Sequence, residues 1–93
     1  AEVESAYLES MVELPSLIAI RNQDDSYQSK WSPFEDQFAD QMDNLDKMLT
    51  NQSIHDGHYH QEATNIQKNR EKKEREKTIE WLKERLNTLG LHS

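Results

Sequence analysis

Ninety-three residues, 33% of them apolar and 31% charged, make at most one small domain, with a net charge of −7. The absence of cysteine excludes disulfides, thiolate metal sites and cysteine nucleophiles. Two glycines and two prolines are too few for the turns of a β-sandwich or barrel and suit a few long helices.

No run approaches the roughly 18 apolar residues of a membrane span, and neither a signal-peptide nor a transit pattern is present. A cytoplasmic or nuclear setting is therefore expected, away from membranes. The chain begins at Ala1 without methionine, which suits a processed form or a piece of a longer protein. Residues 1–56 hold twelve acidic and three basic side chains, and residues 57–93 hold six and eight. An acidic front and a mildly basic back predict attraction between the halves, within one chain or head to tail between chains.

In chain order, Val3, Tyr7, Met11, Leu14 and Ile18 recur at helical spacing within an arc of roughly 80°, which predicts an amphipathic first helix over residues 2–21. Pro15 removes a backbone donor and pushes Leu14 from helical dihedrals, so a break or kink is expected there; it equally suits the first turn of a new helix over Ser16–Arg21. The polar stretch Asn22 to Lys30 reads as a loop.

Ser32-Pro33-Phe34-Glu35 has the form of a helix start: serine as N-cap, proline at the first position, glutamate reaching back. Trp31 would then staple the first turn. From there Phe34, Phe38, Met42, Leu45, Met48 and Leu49 share a face about 120° wide, with Asp36, Asp40, Asp43 and Lys47 opposite, predicting a second helix over 33–51. Asn51 to His60 reads as the connector. Gly57 is its most flexible point, and Ser53 with Asp56 forms a weak capping pattern.

A third helix is expected over 59–89. Its middle, Gln67 to Thr78, has no apolar side chain across about 18 Å of helix. The pairs Glu71/Arg75, Arg70/Glu74 and Lys72/Glu76, four apart, would each add about 0.2–0.5 kcal/mol. Gly90 fits the left-handed position past the helix end, with Leu91 closing on Leu86. Tyr59, Ala63 and Ile66 form one stripe, and Ile79, Leu82, Leu86 and Leu89 another about 140–220° around the axis, so either the helix meets two different neighbours or it breaks in its charged middle. Trp81 stands about 100° off the second stripe, suited either to capping a core edge or to meeting a partner.

His55, His58 and His60, with Asp56 and Glu62, make a local H-x-x-H-x-H cluster of weak candidate metal ligands. Flexible loops hold ligands poorly, and a solvated polar loop or a pH-sensitive hinge accounts for them as well. No metal or other cofactor is expected. Lys68, Arg70, Lys72, Lys73, Arg75 and Lys77 could meet phosphates, but interleaved Glu71, Glu74 and Glu76 halve their charge, and the acidic chain repels nucleic acid at long range. The acids of the second helix could instead occupy a basic partner. No nucleophile–base pair, glycine-rich phosphate loop or paired carboxylate in an apolar setting is present, so no enzyme is expected.

These features predict an all-α chain: one helical interaction domain over residues 1–93, with a short antiparallel helical pair, a long charged C-terminal helix and coiled-coil-like association. Phe34, Phe38, Met42, Leu45 and Leu49 are expected to form one contact set, and Ile79, Trp81, Leu82, Leu86 and Leu89 a second. The expected role is a scaffold, adaptor or regulatory subunit that binds a protein partner or its own copies. A nucleic-acid-associated regulator is the rival.

Overall fold

The computed structural model describes the backbone of residues 2–90 and side-chain surroundings from Ala6 to Gly90. It is all-α: α1 (Glu2–Met11), α2 (Pro15–Asn22), α3 (Asp25–Thr50) and α4 (Asp56–Thr88). No strand occurs among the described residues, as the scarcity of glycine and proline predicts. The contacts gather into two units, residues 1–31 with 74–93, and residues 32–73.

The expected break at Pro15 divides residues 2–21 into two helices, because Leu14 is extended (φ −67, ψ 127) and Pro15 takes the first position of α2, where its missing N–H costs nothing. Two other boundaries differ from the expected ones. The expected loop over 22–30 is mostly helix. Asp24 caps α3, its Oδ1 accepting the backbone N–H of Ser26 at 2.9 Å and of Tyr27 at 3.3 Å, while its carbonyl accepts Gln28 N–H at 3.0 Å. Ser32 is therefore no N-cap, and Pro33 lies inside α3. An interior proline costs a helix about 3 kcal/mol. Tyr27 and Trp31, one turn apart and both buried, offset it, since burying a large apolar side chain contributes about 1.5–3 kcal/mol. The second difference is at α4, which opens at Asp56, with His55 carbonyl accepting Tyr59 N–H at 3.0 Å. Gly57 thus belongs to the first helical turn and the connector shortens to residues 51–55. α4 runs unbroken through its charged middle.

In the unit formed by residues 32–73, Phe34 meets Lys73, Glu35 meets Arg70 and Asp46 meets Tyr59. Numbers rise on α3 as they fall on α4, so the two run antiparallel, as a connector of a few residues requires. The antiparallel pair expected between the first two helices is thus made by α3 and α4, while α1 and α2 group with residues 74–93. Leu45 and Ile54 are buried here; Phe34, Phe38, Met42 and Leu49 on α3 and Tyr59, Ala63 and Ile66 on α4 are half-buried.

α3 ends in a tight reversal. Ser53 N–H reaches Met48 carbonyl at 2.9 Å and Gln52 N–H reaches Leu49 carbonyl at 3.1 Å, a Schellman pair. It forces Gln52 to φ 59, a left-handed conformation that opposes a Cβ. Gln52→Gly is accordingly expected to stabilise the chain by about 0.5–1 kcal/mol, read as a higher urea midpoint with unchanged slope. A lower midpoint would contradict this. Gly90 takes the expected left-handed conformation past α4, at φ 73; its expected companion Leu91 lies outside the described residues.

In the other unit, Leu8 of α1 and Val12 of the turn that follows it are buried, at 1% and 5% exposure, rather than the expected row. Tyr7 and Leu14 of that row stand outside, Met11 and Ile18 are half-buried, and the side chain of Val3 lies outside the described set. The core adds Tyr27 and Trp31 from α3 and Thr78, Trp81 and Leu82 from α4.

Candidate interaction surfaces

Two anchoring constellations hold the unit that contains α1 and α2, and both centre on groups outside the leucine stripes. The first is Trp81. Its ring is buried, stands edge-on to Tyr27 with centroids 6.2 Å apart, and donates its indole N–H to Asp24 Oδ2 at 3.0 Å. The undecided tryptophan is thus a core residue. One carboxylate caps α3 with Oδ1 and ties α3 to α4 with Oδ2, and Arg85 approaches that oxygen at 3.4 Å.

The indole hydrogen bond, then the backbone N–H groups of Tyr27 and Ser26 and the charge of Arg85, hold the Asp24 carboxyl below its ordinary 3.8 against a smaller opposing effect of burial. A lowered acid stabilises the fold above its unfolded value and loses that contribution as pH falls through the folded one. The urea midpoint is expected to fall below pH 3.8 less steeply in Asp24→Asn than in the wild type. Parallel acid limbs would refute this assignment.

The second constellation is Arg21, buried and charged on a helix of apolar neighbours. Nη1 donates to Thr78 Oγ1 at 2.9 Å, while Nε and Nη2 donate to Asn22 Oδ1 at 3.1 and 2.8 Å. Glu74 lies 3.8 Å away, and the guanidinium stacks 5.0 Å from the Tyr27 ring centroid. Thr78 is 1% exposed and its hydroxyl donates to the Glu74 carbonyl at 2.7 Å. The buried Arg21–Thr78 hydrogen bond joins one turn of α2 to one turn of α4, and an alternative register would leave the guanidinium without that partner. Nothing in apolar periodicity points to Arg21 or Thr78. The available signal is the first of three cations in the acidic first half, set after an apolar run, with a threonine at the edge of the charged run.

Between the first turns of α3 and the end of α4 lies a cavity of about 40 Å³ walled by Tyr27, Trp31 and Trp81. Lys30–Glu84 and Lys77–Glu80, each 3.1 Å, stand at its rim. That volume accommodates a few waters.

Of the expected contact residues, Leu45, Trp81 and Leu82 are buried, Phe34, Phe38, Met42, Leu49, Ile79 and Leu86 are half-buried, and Leu89 stands 63% exposed. The basic run divides. Arg70 pairs with Glu35 at 2.9 Å, Lys73 lies 4.7 Å from the Phe34 ring centroid and Lys77 pairs with Glu80, whereas Lys68, Lys72 and Arg75 are exposed. Arg70 and Lys73 continue the row of Tyr59, Ala63 and Ile66, their stems covering apolar surface where a hydrophobe would otherwise stand. Asp36, Asp40 and Asp43 are exposed, Asp43 beside Lys47 at 3.0 Å. His55, His58 and His60 do not converge: His58 faces Glu62 at 3.5 Å, and no group of three histidine or acidic side chains able to hold a metal occurs among the described residues. No described helix is long and apolar enough to cross a membrane. Compared with protein-family models, curated proteins and solved structures, the chain matches none of them.

Proposed function

We propose that the chain is a non-enzymatic protein–protein interaction module of cytoplasmic or nuclear setting: a small helical scaffold, adaptor or regulatory subunit that associates through coiled-coil-like helix packing. One observation carries the reading. A chain with few apolar residues leaves several large ones outside, among them Met48 at 43% and Leu89 at 63% exposure, and much of its α3 row only half-covered. Single exposed hydrophobes are ordinary, but half-covered rows at helical spacing are what a further helix packs against.

Self-association is the form to test first. Light scattering across concentrations is expected to show a mass rising above the 11.0 kDa of one chain. Met48→Asp and Leu89→Asp, both at exposed positions, are expected to lower it with helicity unchanged. A single-chain mass throughout would sink self-association. The rival reading, nucleic-acid contact through Lys68, Lys72 and Arg75, would instead give duplex binding that weakens steeply with salt.

A further inference from the structure

Residues 32–73 form a two-helix hairpin that buries little of its own apolar surface. Leu45 and Ile54 are its two buried hydrophobes, Phe34 and Phe38 are half-buried, and Met48 is 43% exposed. The three open residues lie on α3 beyond Pro33 at helical spacing. Phe38 follows Phe34 by one turn, and Met48 returns after fourteen residues to within about 40° of Phe34. Two helices cover only the seam between them, so the edge of that seam is left for a further layer. Two features identify what covers it. Charge is sorted along the hairpin: residues 40–62, around the connector, carry five acids and Lys47, a net −4 with histidines neutral. Residues 32–39 with 63–73, at the open end, carry four cations and three acids, a net +1. The apolar edge is sorted the same way, with the phenylalanines toward the open end and the methionine toward the connector.

We propose that this hairpin docks a second copy of itself in the reversed direction, Met48 of each copy seated against Phe34 and Phe38 of the other, to give a two-fold dimer with four helices at its centre. This rests on the interaction-module reading and gives that module its partner and its site. Reversal lays each net-negative end on a net-positive one and each methionine sulfur against aromatic rings, a favoured contact. The same contacts recur on both sides of the two-fold axis, so the dimer closes instead of growing into a chain of copies. A copy laid in the same direction would set −4 against −4 and methionine against methionine.

The test uses the full chain, which has no cysteine of its own, so a single introduced one carries each label. Light scattering is expected to level off at twice 11.0 kDa as concentration rises. Phe38→Ser and Met48→Asp are each expected to raise the dissociation constant about tenfold or more, with helicity checked by circular dichroism. Met48→Asp, at an exposed position, keeps the test decisive should Phe38→Ser unfold the chain. Orientation is read by energy transfer between labelled copies. Ser32 and Thr50 are both exposed and stand five turns apart on the same side of α3. A donor on Thr50→Cys is expected to transfer more to an acceptor on Ser32→Cys of the other copy than to one on Thr50→Cys. More transfer between two Thr50→Cys copies, or equal transfer in both mixtures, would overturn the proposal. A mass climbing past the dimer would overturn it as well. So would a single-chain mass at every concentration, which removes the second copy and leaves the module to another protein. If the mass doubles but only Leu89→Asp lowers it, the hairpin face falls and the interaction module stands.

Discussion

Trp81→Ala is expected to destabilise the protein by about 3–5 kcal/mol, the range for emptying the place of a large buried aromatic. The ring fills core between α3 and α4, meets Tyr27 edge-on and tethers Asp24, so truncation removes packing, an aromatic pair and an indole donor at once. Against a total of about 5–15 kcal/mol for a typical domain, that is a large share. Urea unfolding followed by circular dichroism should show the lowered midpoint, with Trp31 left as the fluorescent reporter of the same core. Trp81→Phe, which keeps a ring but gives up the bond to Asp24, should fall between the two. If Trp81→Ala unfolds at the wild-type midpoint, the residue is not a core anchor and the packing described for α3 on α4 is wrong.

Why this tryptophan was hard to place from sequence is a matter of arc width. A stripe drawn through Ile79, Leu82, Leu86 and Leu89 assumes one neighbour covering a narrow band. The end of α4 instead receives Arg21 from α2 on Thr78 and Tyr27 from α3 on Trp81, so two neighbours bury a broader arc that leaves Leu89 outside. The all-α class, the break at Pro15, the helical character of the charged run and the left-handed Gly90 were all legible, since each follows from local propensity or backbone sterics.

The start of α3 was misread because Ser32-Pro33-Phe34-Glu35 satisfies the local rules for a helix N-terminus. Tyr27 and Trp31 continue the row of Phe34, Phe38, Met42, Leu45 and Leu49 backwards through Pro33 at three- and four-residue steps, and Asp24 stands one turn before Tyr27 as a cap. Tertiary burial of two aromatics outweighed a local stop signal. Near the N-terminus one row was drawn through Tyr7, Met11 and Leu14 at helical phase, whereas α1 ends at Met11, Leu14 is extended, and contact within the unit buries Leu8 and Val12 instead.

Arg21→Ala is expected to cost about 3–5 kcal/mol, whereas Arg21→Met should cost much less. The two substitutions remove the same charge and the same donors but differ in volume. Alanine leaves a void beneath the Tyr27 ring and takes the guanidinium donor from buried Thr78 Oγ1. Methionine refills the void with an unbranched side chain and leaves only the hydrogen-bonding loss. Thr78→Val supplies the crossing measurement: alone it removes the acceptor for Nη1 and should cost about 1–3 kcal/mol. Combined with Arg21→Met it should cost less than the two separate losses together, because the group it would strand has already gone. Additive losses would show that Arg21 and Thr78 act independently. A register held by their hydrogen bond also predicts that Arg21→Met, though nearly as stable, broadens the amide resonances of α2, because α2 would then sample neighbouring turns of α4. Sharp, wild-type-like α2 resonances in that variant would show that apolar packing alone sets the register and that the buried cation contributes stability without specificity.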